Sequence, residues 1–187
     1  MSIRQALLSL LANEPMYGYQ LRSEFETRTG ATWPLNVGQV YTTLTRLERD
    51  GLVERAGNDA EGHEVYRLTD AGAAEVGRWF ATPVDRERVP RDELAIKLAI
   101  AVTVPGVDVR AVIQAQRTDT VRALQEYVRL KSQATDDDLA WLLVLDALVF
   151  QAEAEVRWLD HCESRLARHR PAPAARAVAS IRKRVSR

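Results

Sequence analysis

The chain has 187 residues, 46% hydrophobic and 28% charged, enough for one ordinary domain or two small ones with a real core, so general disorder is excluded. Its 26 basic residues balance its 26 acidic ones, which argues against indiscriminate binding to nucleic acid. A single cysteine, Cys162, excludes a disulfide framework or a cysteine-built zinc site within one chain, and no apolar run approaches the roughly 20 residues of a membrane span. One thiol and an N-terminus without the layout of a signal peptide lead us to expect a cytoplasmic protein with no membrane partner.

In chain order, Ile3, Ala6, Leu7, Leu10 and Leu11 make a first helix that stops before Asn13-Glu14-Pro15. Tyr17 to Leu21 opens a second, with Leu21 and Phe25 inward and Thr29-Gly30 closing it. A short connection through Trp33-Pro34 leads to a third helix, on which Val37, Val40, Tyr41, Leu44 and Leu47 share a buried face. Asn36 stands where its N-cap belongs, and Gly51 where a left-handed residue would end it. Two strand-like pieces follow, about 52–55 and 63–68, with turn composition over 56–62. Three such helices and a hairpin make a winged helix-turn-helix.

Thr69-Asp70 is placed to cap a fourth helix carrying Ala73, Val76, Trp79 and Phe80 on one side. A break at Thr82-Pro83 and a charged stretch to Pro90 form a linker, and a helix from Arg91 to about Val102 ends before Pro105-Gly106. Two long helices complete the chain. The first is capped by Asp108 and carries the stripe Val109, Val112, Ile113, Gln116, Thr120, Leu124, Tyr127 and Leu130; the second is capped by Thr135 or Asp136. Leu142, Leu145, Leu148, Ala152, Val156, Leu159, Cys162 and Leu166 repeat near every three and a half residues on the second, as in a coiled-coil seam, and we expect them to meet a second copy of the chain. The fold expected is mainly α with a small β-wing: a winged helix-turn-helix over 1–82, a linker over 83–90, an α-helical dimerisation domain over 91–170, and a basic tail over 171–187.

The outer face of the third helix carries Gln39, Thr42, Thr43 and Arg46 at i, i+3, i+4 and i+7. Amides and guanidinium suit base edges and hydroxyls suit phosphates, as a helix in a DNA major groove requires. The plain alternative is a solvated face, but such faces usually carry Glu and Lys pairs; here there is no Lys, and the acids Glu48 and Asp50 lie at the end. Charge is not abundant: residues 1–69 hold seven arginines against nine acids, a balance of −2. No nucleophile–histidine–carboxylate set, phosphate loop or paired-carboxylate motif stands out, so no enzyme activity, cofactor or metal is expected; His161 and His169 are two turns apart, with Cys162 pointing elsewhere.

The chain resembles the PadR family of bacterial transcription regulators. The resemblance is carried by Met16-Tyr17-Gly18-Tyr19-Gln20-Leu21, Trp33-Pro34, Gly38-Gln39-Val40-Tyr41, the run Leu44 to Val53, and Tyr66-Arg67-Leu68-Thr69-Asp70-Ala71-Gly72. Arg91-Asp92-Glu93-Leu94 with Lys97-Leu98 is similar to the start of the C-terminal part in the longer, virulence-activator-like subfamily. The resemblance implies a homodimeric repressor that binds double-stranded DNA at a pseudo-palindromic operator. Tyr17, Tyr19 and Gln20 would touch phosphate, and Asn36, Gln39, Tyr41, Thr42, Thr43 and Arg46 would lie at the groove. Relatives respond to phenolic acids or flat drugs, which implies a small aromatic effector near Trp79 or Trp141. Two features depart from the family: Thr42 stands where Pro often follows the tyrosine, and Asp59, Glu61 and Glu64 make acidic a wing tip that is often basic. Asn58 and His63 remain as wing contacts. The acidic wing also keeps open an alternative, a winged-helix module for protein–protein interaction without specific DNA binding.

Overall fold

The computed structural model describes residues 3–84 and 92–169, with only the backbone of Asp136. Most of the expected linker and the whole basic tail lie outside the described residues. The chain divides into two compact units, residues 1–90 with 130–147, and residues 91–129 with 148–187.

In the first unit, α1 (Ile3–Leu10), α2 (Gly18–Arg28) and α3 (Val37–Arg49) enclose a core of Leu7, Leu8, Leu21, Phe25, Val40, Leu44 and Leu47, closed from the wing side by Val53 and Tyr66. Asn36 caps α3 by accepting the Gly38 N–H at 2.7 Å, and the helix stops at Gly51 with φ +72°, a conformation that favours glycine. The Glu26 carboxylate accepts the Leu35 N–H at 3.2 Å and holds Arg22 at 2.9 Å, which fixes the approach to α3. Strands β2 (Val53–Asn58) and β3 (Glu64–Leu68) form the antiparallel wing, with an irregularity between Arg55 and Asn58. The wing strand therefore runs three residues further than its expected end, into what reads as turn composition. A third strand, β1 (Met16–Tyr17), joins the far edge of β3, pairing Met16 with Tyr66 and Tyr17 with Val65. The sequence placed Tyr17 at the helix start; the structure gives it to the sheet and begins α2 at Gly18.

α4 (Asp70–Ala81) is capped by Thr69, whose hydroxyl accepts the Gly72 N–H at 3.1 Å and donates to the Gly51 carbonyl at 2.8 Å, locking the wing's root to the end of α3. Val76 is its buried apolar side chain, whereas the Trp79 and Phe80 rings meet at 4.8 Å, tilted by 54°, and stay 38% and 70% exposed although their spacing puts them on one side with Val76.

The second unit holds α5 (Glu93–Ala101), most of α6 (Val109–Gln133) and the C-terminal part of α7 (Leu139–Arg168). Asp92 caps α5, and Asp108 accepts the Ala111 N–H at the start of α6. Leu98, Ile113 and Leu159 form the core. Beside it a polar seam joins α6 to α7: Gln116 and Thr120 both donate to the Glu155 carboxylate, and Arg117 bridges Asp160 and Glu163 at 2.8 and 2.7 Å. Thr135 and Asp138 form a capping box over the 3₁₀ turn that precedes α7. Among the described residues no helix is long and apolar enough to cross a membrane.

Candidate nucleic-acid interface

Burial of Val40, Leu44 and Leu47, each at 0% exposure, fixes which way α3 faces. Gln39, Thr42 and Arg46 are exposed and Thr43 is half-buried. Among the described residues the Gln39 and Arg46 side chains have no hydrogen-bond or ionic partner. The other cations nearby are engaged. Arg49 reaches Asp50 at 3.1 Å, Arg4 reaches the same carboxylate at 2.9 Å, and Arg55 is shared by Glu48 and Glu64. Arg49, helped by Arg4, holds the Asp50 carboxyl below its ordinary range. Among the described residues the outer face of α3 thus presents a guanidinium, Arg46, and an amide, Gln39, that have no partner.

The threonines are arranged differently from the sequence expectation. Thr42, Thr43 and Thr45 each donate their hydroxyl to the carbonyl four residues back, at 2.7, 2.7 and 3.0 Å. Phosphate oxygen is an acceptor, so a hydroxyl whose proton is already committed offers it nothing. In this arrangement Thr42 and Thr43 present oxygen lone pairs and a methyl, which suit base edges better than phosphate. Asn36 differs: its Oδ1 accepts the Gly38 N–H in the cap, and its amide N–H groups remain able to donate.

At the start of α2, Tyr19 is 58% exposed, so core packing does not account for it. The Gln20 side-chain oxygen accepts the Tyr17 N–H at 3.1 Å, leaving its amide group free to donate. Tyr41 leaves the buried stripe to which its spacing assigned it. It is 39% exposed, and its ring lies over Gly18, where an added Cβ would stand 2.7 Å from the ring. Gly18 is required by that close approach.

Across the wing, the Tyr17 and His63 rings stack at 4.6 Å and 13°, joining the start of α2 to the wing tip. Asp59 accepts the His63 N–H at 2.7 Å and the Glu61 N–H at 3.1 Å, and faces the His63 Nδ1 at 2.9 Å. Partial burial pushes the Asp59 carboxyl up, but these groups together pull it below its ordinary range. Ligand atoms of Asp59, Glu61 and His63 lie within 4.8 Å of one another, a cluster the sequence reading passed over although their alternation in a turn was visible. Asn58 donates to the Gly62 carbonyl at 3.3 Å, a contact internal to the wing.

Residues 7–78 match the transcriptional regulator PadR-like family, and residues 90–167 match the virulence activator alpha C-terminal family. The chain thus joins a PadR-like domain to a virulence activator alpha C-terminal domain. It is 28% identical over 179 residues to a probable transcriptional regulator of Mycobacterium tuberculosis, covering 86% of this chain and 95% of that one. It is 27% identical over 99 residues to the negative transcriptional regulator PadR of Bacillus subtilis, 51% of this chain and 54% of the relative. In fold it is similar to Bacillus subtilis PadR in complex with p-coumaric acid, with a TM-score of 0.70 at 20% identity over 88% of this chain and 98% of that one. The virulence activator AphA of Vibrio cholerae gives 0.65 at 22% identity, over 89% and 98%.

Trp141 packs against Gly30, whose φ is +55°, so tightly that a Cβ at that position would enter the indole ring. Neither Trp141 nor Trp79 lines the small cavity beside Arg117 on α6 or the larger one between α5, α6 and α7. The seam on α7 needs a correction at three positions. Leu145 and Leu159 are at 0% exposure and Ala152 at 7% within a single chain, so these side chains are covered intramolecularly and are not free to meet a second copy. Leu142, Leu148, Val156, Cys162 and Leu166 are half-buried. The large apolar residues left outward on α7 are Leu139, Leu143 and Phe150.

Proposed function

We propose that the chain is a dimeric, cytoplasmic, sequence-specific DNA-binding repressor and not an enzyme. The observation that carries this reading is α3 itself: one face is fully buried, while the other holds an unpaired Gln39 and Arg46. Each copy lays Asn36–Asp50 in a major groove, with Tyr19 and Gln20 at the flanking phosphates, where backbone N–H groups at the start of α2 assist. The part over 91–170 pairs two copies, giving two half-sites about one helical turn apart with two-fold symmetry. Occupying the promoter blocks transcription, and a small molecule releases the complex by changing the angle between the recognition helices. The PadR-like domain supports the regulator role. That Bacillus subtilis PadR has been solved with operator DNA and with p-coumaric acid supports operator and effector as classes of partner.

The test is binding of the purified chain to DNA upstream of its own gene, against scrambled DNA, across a salt series. Preference for its own DNA with affinity falling steeply as salt rises is expected, because phosphate contacts release counterions. Equal, weak binding to both DNAs at every salt would overturn the reading. It would favour the alternative that the acidic wing tip supports, a winged helix that docks on another protein.

A further inference from the structure

The second unit contains an open cavity of about 1080 Å³ between α5, α6 and α7, at the top of the size range of small-molecule sites. Its floor is mostly aliphatic, with Leu98, Val109, Ile113 and Leu166 beside Trp158. Cys162 also lines it, and burial pushes its thiol up, so it presents a neutral surface. The charged lining residues are Arg165 and Arg168, accompanied by His161 and His169, and no acid lines the cavity.

This separation of charge follows from the pattern of α7. Trp158, His161, Cys162, Arg165 and Leu166 recur at i, i+3, i+4, i+7 and i+8, one face of the helix. The acids of the same helix segment, Glu155, Asp160 and Glu163, are held on the α6 side by Gln116, Thr120 and Arg117. Among the described residues neither Arg165 nor Arg168 has a carboxylate partner: Arg165 donates to the His161 ring at 2.8 Å, and Arg168 to the Ser164 carbonyl at 3.1 Å. Two guanidinium groups therefore stand at the mouth of an aliphatic cavity with no counter-charge.

We infer that this cavity takes the chain of a free aliphatic amphipath bearing one anionic head group, with Arg165 and Arg168 at the head. A single indole among aliphatic side chains favours a methylene chain over a stacked ring system, and the unpaired guanidiniums select an anion over a cation. The cavity's lining includes neither Trp79 nor Trp141, and it takes Cys162 and Leu166 out of the seam expected on α7, leaving Leu142, Leu148 and Val156 to a second copy. It rests on the regulator reading only for its use as an effector site, because occupancy is measured without DNA.

The probe is dodecanoate, below its micellar concentration, titrated calorimetrically into the full chain beside dodecanol and dodecyltrimethylammonium. Dodecanoate is expected to bind at least tenfold more tightly than the cation, and each methylene from octanoate upward to tighten binding up to about fourfold. Arg165→Gln with Arg168→Gln should erase the preference for the anion while leaving dodecanol binding in place. Ala99→Trp, at an exposed position of α5 on the cavity wall, should abolish binding of both. Equal affinity for the three head groups would overturn the inference, as would dodecanoate binding that survives Ala99→Trp. Binding only to acidic phospholipid vesicles would overturn it too. So would uptake only as the chain dissociates to monomers in sedimentation, because the groove would then belong to a second copy.

Discussion

Arg46 and Arg49 are one turn apart on α3, yet only Arg49 has its charge answered within the protein, by Asp50. A surface pair of that kind adds little stability, but it fixes which cation is left for a ligand. Arg46→Ala should weaken operator binding about tenfold or more and, if its contact is to phosphate, lower the slope of affinity against salt by about one. Arg49→Ala should do less, and equal losses in a salt-series binding assay would refute the distinction. Tyr66 offers a test unrelated to DNA. Burial, with the Glu64 carboxylate accepting its hydroxyl at 2.7 Å, pushes its phenol up to about 12. The folded state therefore holds that proton more tightly than the unfolded chain, whose phenols titrate near 10. The stabilisation is complete below about pH 10 and fades between about 10 and 12. In an ultraviolet titration one of the five tyrosines should lag the others, and Tyr66→Phe should remove the lag; five tyrosines titrating together would contradict the assignment.

Elements differ in how much of them could be read before folding. The first four helices follow from local signals: three apolar stripes, the Asn36 and Thr69 caps, and Gly51 as a stop. Strand β1 does not, because its two residues form a strand only where β3, some fifty positions later, passes alongside. The seven-residue repeat on α7 was legible as a buried face, but periodicity says only that something covers it. For Leu145, Ala152 and Leu159 that cover is the chain itself. The free guanidinium of Arg46 was visible as a residue, whereas its lack of a partner depended on where every acid came to rest. Close contacts between elements were equally hidden, as Gly30 beneath Trp141 illustrates. Gly30→Ala should cost about 1–2 kcal/mol for the left-handed backbone alone, plus a clash with the indole. Trp141→Ala should recover the clash component in a double-mutant cycle read by denaturant unfolding. Gly62→Ala, with φ +87° and open space around the position, isolates the backbone cost. Equal losses at the two glycines would show that the indole yields freely.

For the whole molecule, the proposed pairing makes stability a matter of concentration. Leu139, Leu143 and Phe150 are each more than 60% exposed in the single chain, an unusual outlay of apolar surface along one helix. If a second copy covers α7, the midpoint of thermal unfolding should rise with protein concentration. Phe150→Asp should shift the chain toward the monomer in sedimentation while preserving its helical circular dichroism. A midpoint independent of concentration, with monomer mass throughout, would exclude the dimer and with it the two-half-site geometry.

The back-bonded threonines of α3 carry one more consequence. With their protons turned inward, what Thr42 and Thr43 offer the groove includes a methyl group, and thymine is distinguished from uracil by a methyl in the major groove. If those methyls meet the DNA, an operator synthesised with uracil in place of thymine should bind more weakly although every hydrogen bond and phosphate is retained. Placing 5-methylcytosine at chosen steps should then alter affinity with no change in pairing. An operator indifferent to both replacements would show that α3 reads its site without sensing carbon at all.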